Sequence, residues 1–186
     1  MTGAKLNASG LAKFEKLAHS VLPSGYEGGW LAFLSVLMEK LNARERAEVI
    51  RAFELTPAET ASLKKVEVQA KKLETALKSA RIHRPSDVWE ALHEATSDAV
   101  LLVLYGSSIR VVQDRIRAFH EKYLPLTQEI TEEEVVAAGA RPGTAKFEKV
   151  RRALIKTRLN ARPRKIEVIE PELVPLAVAG VGRGRR

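Results

Sequence analysis

The chain has 186 residues, of which 45% are apolar, 29% are charged and 5% are aromatic, and it contains no cysteine. This length and apolar content suit one globular unit or two small ones and exclude a chain that is disordered throughout. The absence of cysteine excludes disulfides, thiolate metal sites and cysteine nucleophiles. No apolar run reaches the roughly 18–20 residues that cross a bilayer, and no signal peptide is recognisable. We therefore expect a cytoplasmic protein with no membrane partner.

The positive charge is concentrated in one short stretch. The formal net charge is +8, yet residues 1–140 hold 18 basic and 19 acidic side chains. Residues 141–165 hold ten basic side chains and one acidic side chain, Glu148. A concentrated positive field attracts polyanions, and nucleic acid is the commonest large one. The alternative is a solvated helix face followed by a basic disordered end.

Apolar residues recur at three- and four-residue spacing along most of the chain, which predicts an all-α fold. The first helix carries Phe14 on its inner face and ends at residues 23–25. The second helix covers residues 30–41. The third covers residues 43–53 and carries Phe53 on its inner face. The fourth begins at a Thr56–Glu59 capping box and continues to about residue 79.

The pattern of helices continues in the second half of the chain. A fifth helix opens at residues 84–86, and a sixth runs from residue 97 to the break at residues 106–108. A seventh follows with Val112, Ile116 and Phe119 buried, and residues 124–126 are predicted to form a joint.

Two more helices follow this joint. Thr131 begins a short capped helix that Gly139 ends, and the last helix runs to about residue 159, where Asn160 can cap it. Residues 166–169 carry weak strand character within a segment rich in proline and glycine. The chain therefore divides into a helical body over residues 1–124, a helical tail over residues 125–160, and an extended or disordered C-terminus over residues 161–186.

The last helix has a basic stripe. At about 100° per residue, four of its cations lie within a third of its circumference, whereas Phe147, Val150 and Leu154 share another face. Arg141 and Arg158 flank these cations, and residues 162, 164 and 165 extend the charge. No aromatic residue is interleaved, so phosphate contact without base stacking is expected. The four cations of the stripe are Lys146, Lys149, Arg152 and Lys156.

No arrangement of residues predicts an active site. Glu90 and His93 form an isolated i, i+3 pair, without the second pair that a metal site needs. Residues 106–110 are superficially similar to the glycine-serine motif of nucleotidyltransferases, but no pair of carboxylates follows to hold metal ions. Residues 113–117 partly match a nucleotide-selecting motif that begins with a glutamate, which is missing here. We therefore predict no catalytic residue and no metal ligand in this chain.

The segment over residues 124–147 resembles the tail of bacterial class II tRNA nucleotidyltransferases, the family of CCA-adding enzymes and poly(A) polymerases. It combines a short capped helix, a Gly-x-x-Pro-Gly turn at residues 139–143 and a long helix. Residues 48–59 resemble the connection between two helices in the family's body. The whole resemblance covers roughly residues 30–160. One departure is Leu159-Asn160-Ala161, where the family often has Leu-Asp-Gly.

The resemblance implies a tRNA-binding function. In the family, the body and tail hold the acceptor stem and elbow of tRNA, while an N-terminal head with ATP or CTP and Mg²⁺ adds nucleotides to the 3′ end. The motifs of the head are not found in this sequence, so we expect no nucleotide addition by this chain alone and expect the head to be a missing partner. The residues expected to contact the tRNA backbone are Arg141, Lys146, Lys149, Arg152 and Lys156.

Two alternatives stay open at this point. One is a stand-alone helical RNA-binding protein, and the other is a protein-interaction scaffold whose basic stripe meets an acidic partner. The sequence does not indicate the oligomeric state, because the apolar residues 30–38 could form either core or a dimer face, with core favoured.

Overall fold

The computed structural model describes residues 6–21 and 29–161, without the side chain of Val21. Within these ranges the chain forms α-helices and no strand, which confirms the all-α prediction. No helix in these ranges combines the length and the apolar character needed to cross a bilayer. The helix stop predicted at residues 23–25, the strand-like residues 166–169 and the cations at 162, 164 and 165 lie outside the described residues. The helices are α1 (Ala8–Val21), α2 (Trp30–Leu37), α3 (Ala43–Ala52), α4 (Pro57–Lys78), α5 (Pro85–Leu92), α6 (Ser97–Gly106), α7 (Arg110–Ala118), α8 (Leu124–Gln128), α9 (Glu132–Ala137) and α10 (Ala145–Asn160).

Several helix starts follow from capping chemistry in the sequence. The predicted capping box opens α4: the Thr56 hydroxyl accepts from the Glu59 amide at 3.2 Å, and the Glu59 carboxylate accepts from the Thr56 amide at 2.8 Å. The prediction for Phe53 was wrong, because α3 ends one residue earlier and the side chain is 55% exposed. The next residue, Glu54, has φ +52°, which is incompatible with a right-handed helix. The helical pattern therefore stops before Phe53, whose side chain stays outside the core. The second helix also ends earlier than predicted, at Leu37.

The core is built around α4 and α6. Both lie in the main cluster of buried apolar side chains, together with residues of α5, α7 and α10. A smaller cluster joins α2, α3 and the start of α4, and a third joins α1, α2 and α6 through Phe14 and Leu101. α4 is the longest helix of the described chain and supplies buried residues from Leu63 to Leu77.

The start of α2 is capped from α6. The Asp98 carboxylate accepts a hydrogen bond from the Ala32 amide at 3.1 Å, at the end of the helix where backbone amides lack partners. A Cβ atom at Gly29 would lie 2.0 Å from an Asp98 oxygen, so the Asp98 carboxylate can hold this position only beside a glycine. Burial raises the pKa of Asp98, and the bond from Ala32 opposes that shift.

The end of α4 is capped from α7. The Arg115 guanidinium donates to the carbonyl oxygens of Leu77, of Ser79 at 3.3 Å and of Ile82 at 2.5 Å. A cation at a helix C-terminus satisfies unpaired carbonyls and complements the helix dipole. Arg115 belongs to the partial nucleotide-selecting motif of the sequence, and its position here gives it a structural role.

The chain stays helical through the predicted joint at residues 124–126. Residues Phe119–Tyr123 form a π-helical turn, in which the Leu124 amide donates to the Phe119 carbonyl five residues earlier. Pro125 has no amide hydrogen, and its ring would crowd the carbonyl four residues before it in a regular α-helix. The wider π-helical turn gives the proline ring space. The chain therefore changes locally to i→i−5 hydrogen bonds and the helix continues. The division into a body and a tail at this point stays a prediction.

This π-helical turn holds a histidine in an apolar setting. Both ring nitrogens of His120 are buried and, within the part of the chain that the structure describes, neither has a hydrogen-bond partner. The Phe119 ring packs edge-on against the imidazole, with centroids 5.2 Å apart. Burial favours the neutral ring and lowers the pKa of His120 from its ordinary value of 6.5.

This histidine makes stability depend on pH. Below about pH 6.5 the unfolded chain binds a proton that folded His120 binds less readily, so the free energy of unfolding should fall as the pH drops from 7.5 to 5.5. Replacing His120→Leu should flatten that dependence in urea unfolding measured at both pH values. The exposed His83→Gln serves as a control and should retain the wild-type dependence. Equal pH dependence in wild type and His120→Leu would contradict the assignment.

Candidate functional site

The turn before α10 adopts the conformation that its glycines predict. Gly139 has φ +87° and ends α9 in a Schellman motif: its amide donates to the Val136 carbonyl at 2.9 Å, and the Ala140 amide donates to the Val135 carbonyl at 3.4 Å. Gly143 has φ +75°, which confines that position to glycine in practice. Thr144 then caps α10 by accepting from the Phe147 amide at 3.2 Å. This turn fixes the direction in which α10 leaves α9.

One face of α10 is buried against the rest of the protein. Phe147, Ile155 and Leu159 belong to the main core, and Val150 and Leu154 pack on it while staying partly exposed. The sequence indicated Phe147, Val150 and Leu154 as the inner face and missed Ile155 and Leu159. The buried face extends along the helix to Leu159, because α10 packs on α5, α8 and α9 together.

Asn160 fastens the far end of α10 to the start of α5. Its side-chain oxygen accepts from the Ser86 amide at 3.2 Å, and its side-chain nitrogen donates to the Ser86 hydroxyl at 2.9 Å. Asn160 was predicted to cap its own helix. It instead lies inside α10 and satisfies an amide in the first turn of α5, where such amides lack helical partners.

The five predicted contact residues fall into two groups. Arg141, Lys146 and Lys149 are exposed, and among the described residues none of them has an ion-pair partner. We call these three the free cations. Arg152 and Lys156 instead pair with carboxylates of the α5 region: Arg152 with Glu94 at 2.9 Å, and Lys156 with Glu90. The stripe seen in the sequence is therefore half compensated by the protein itself.

The partner network of Arg152 is well defined. Nδ1 of His93 lies 3.1 Å from the Trp89 carbonyl oxygen and 3.0 Å from the Glu90 carbonyl oxygen. Because carbonyls only accept, Nδ1 carries a proton in this arrangement. Nε2 lies 3.1 Å from the Arg152 guanidinium and 3.2 Å from the Glu94 carboxylate. Arg152 is thus held by the imidazole ring of His93 and by the Glu94 carboxylate.

A cleft opens beside this network. It has a volume of about 470 Å³ and lies between α10, α5 and α8. The stacked rings of Trp89 and His93, with centroids 4.2 Å apart, form part of its wall, but Trp89 is only 6% exposed. The cleft also includes Arg151, which lies off the basic stripe and was not among the predicted contact residues. Its charged lining residues are Glu148, Lys149, Arg151 and Arg152, together with the titratable His93.

The other motifs of the sequence have structural roles here. Residues 106–108 connect α6 to α7 as predicted, and the Ser107 carbonyl accepts from the Gln113 side chain at 2.7 Å. Arg158, which flanks the stripe, pairs with Glu134 of α9 at 2.9 Å. In the described ranges no three histidine, aspartate or glutamate side chains gather in a way that could hold a metal ion.

Comparison with family models, with curated proteins and with solved structures gives no match to this chain. The geometry of the site is therefore the basis for a functional proposal, beside the resemblance stated from the sequence. The free cations lie at and just before the N-terminal end of α10. The two cations of its C-terminal half, Arg152 and Lys156, are paired with carboxylates of the α5 region.

The bond between Asn160 and Ser86 should contribute measurably to the docking of α10. Replacing Asn160→Ala leaves the Ser86 amide without its acceptor, and loss of such a cap costs about 1 kcal/mol. Urea unfolding should therefore show a lower free energy of unfolding for Asn160→Ala. A matched substitution one turn earlier, Thr157→Ala, removes only a bond to its own helix and should change stability little. Equal stability of the two variants would contradict this role for Asn160.

Proposed function

We propose that this chain binds the backbone of tRNA through α10, as the body and tail of a class II tRNA nucleotidyltransferase would. The acceptor stem and elbow of tRNA are the parts it would hold, while a separate catalytic head adds nucleotides to the 3′ end. The observation that carries the proposal is the group of free cations Arg141, Lys146 and Lys149, which are exposed and, within the described residues, unpaired.

Electrostatic reasoning supports phosphate contact over base reading. Two of the three free cations are lysines, whose ammonium groups are compact point charges suited to phosphates, and contacts to phosphates carry no sequence information. The aromatic rings of the adjoining cleft, Trp89 and His93, stack on each other, and Trp89 is buried. This arrangement suits the recognition of a folded RNA by its shape and charge.

Neutralising two free cations should weaken RNA binding. The variant Lys146→Gln/Lys149→Gln removes two phosphate contacts. The binding constant K falls as salt rises, and each lost contact makes the negative slope of log K against log salt shallower by about 0.9. Titration with a tRNA transcript at several salt concentrations should show weaker binding and a slope smaller by roughly 2. The control Lys13→Gln/Lys16→Gln makes the same charge change on the exposed face of α1.

The outcomes of this titration separate the candidate functions. A preference for tRNA over a DNA duplex of equal charge supports the tRNA-binding proposal. Equal binding of both would reduce it to general phosphate binding. An unchanged slope in the α10 variant, or the same change in the α1 control, would reject α10 as the contact surface and favour an acidic protein partner.

The carboxylates of the α5 region should compete with RNA for the other half of the stripe. Replacing Glu90→Gln/Glu94→Gln frees Lys156 and Arg152 for phosphate, and the loss of two partly exposed ion pairs costs little stability. We expect several-fold tighter tRNA binding and a steeper salt dependence than in wild type.

A matched variant is needed because removing any acidic residue strengthens attraction to RNA. Glu15→Gln/Glu121→Gln makes the same charge change at exposed positions that lack ion pairs in the described part of the chain. The competition is rejected if this variant gains as much affinity as Glu90→Gln/Glu94→Gln.

A further inference from the structure

The exposed face of α4 carries five lysines, which we call the lysine face. At about 100° and 1.5 Å per residue, they occupy an arc of about 140° over a length of about 21 Å. All five residues are exposed, whereas Leu63, Val66, Leu73 and Leu77 of the same helix are buried. The members of the lysine face are Lys64, Lys65, Lys71, Lys72 and Lys78.

Acidic residues of α4 form no ion pair with this face in the described part of the chain. Glu59 is engaged in the capping box with Thr56, and Glu67 pairs with Arg46 of α3. Glu74 lies at the border of the arc, on the side of Glu67. Within the described residues no ammonium group of the lysine face has an ion-pair partner. The charge is therefore available to an external anion.

A shallow groove of about 450 Å³ lies on the side of the lysine face that carries Lys65 and Lys72. Its lining residues are Ala61, Lys64, Lys65, Val68, Gln69 and Lys72. Val68 is the one large apolar side chain that α4 exposes within its described length, at 51%. A single exposed valine is a small apolar surface, so the three lysines are the groups that an anionic partner would contact.

We propose that the lysine face binds the phosphate backbone of a nucleic-acid duplex and forms a contact surface separate from α10. An acidic protein is the less suitable occupant, because lysine is depleted at protein interfaces and such interfaces have an apolar centre. A row of cations on a straight helix, by contrast, matches the evenly spaced charge of a duplex. The inference rests on the residues of α4 alone and does not require the role proposed for α10.

The test uses the full chain with the double substitution Lys65→Gln/Lys72→Gln. These two groove residues lie on the same side of α4, about two helical turns apart. Titration with an RNA duplex and with the tRNA transcript should show affinity reduced about tenfold or more, and a salt slope smaller by roughly 2. The α1 variant Lys13→Gln/Lys16→Gln is the control, and circular dichroism checks that each variant keeps its helical content. Loss of binding no greater than in the α1 control overturns the proposal.

Two further measurements distinguish the partners and the surfaces. Binding of a poly-glutamate peptide that the α4 variant loses, with RNA binding unchanged, would assign the lysine face to an acidic protein and overturn the proposal. The α10 variant Lys146→Gln/Lys149→Gln is titrated in parallel. If only the α4 variant weakens RNA binding, the α10 function fails while the lysine face is supported, and the reverse result has the reverse meaning.

Discussion

The packing of α10 on α5 is the constraint on which the candidate interface depends. Burial of Phe147, Ile155 and Leu159 sets the rotation of α10, and the two bonds between Asn160 and Ser86 set its position along α5. Once the helix is held in this way, the C-terminal half of the stripe faces carboxylates and the N-terminal half faces solvent. The availability of each cation is thus a consequence of how apolar residues pack on the opposite side of the helix.

The ends of three helices are likewise stabilised by side chains of other helices. Asp98 of α6 caps α2, Arg115 of α7 caps α4, and Asn160 of α10 caps α5. Each contact satisfies backbone groups that a helix terminus leaves without partners, and each joins segments that are far apart in the chain. Because most of these helices are short, tertiary packing and capping contribute more to their stability than helix propensity does.

Local chemistry is what the sequence predicted well. The capping box at Thr56, the stop at Gly139 and the turn at residues 106–108 depend on neighbours within a few residues, and all three are confirmed. The charge of Arg152 is compensated by Glu94, which lies 58 residues earlier in the chain. Helical periodicity predicts which residues share a face of α10, but it does not predict which other helix lies against that face. Likewise, the near-zero net charge of residues 1–140 hides the lysine face, because charge summed along a sequence ignores which side chains share a surface.

Two basic helices separated in this way have a consequence for binding. If one RNA contacts both α4 and α10, their phosphate contacts add in the salt slope, while the second contact becomes intramolecular and adds affinity without a second loss of free rotation. That gain requires the two helices to keep a fixed relation, and α5 provides it by packing on both. The carboxylate of Glu90 lies on α5 and that of Glu94 follows it closely, so both lower the charge of the C-terminal half of α10. A duplex would then contact the N-terminal half of α10 first, where no ion pair with a free cation has to be broken within the described residues.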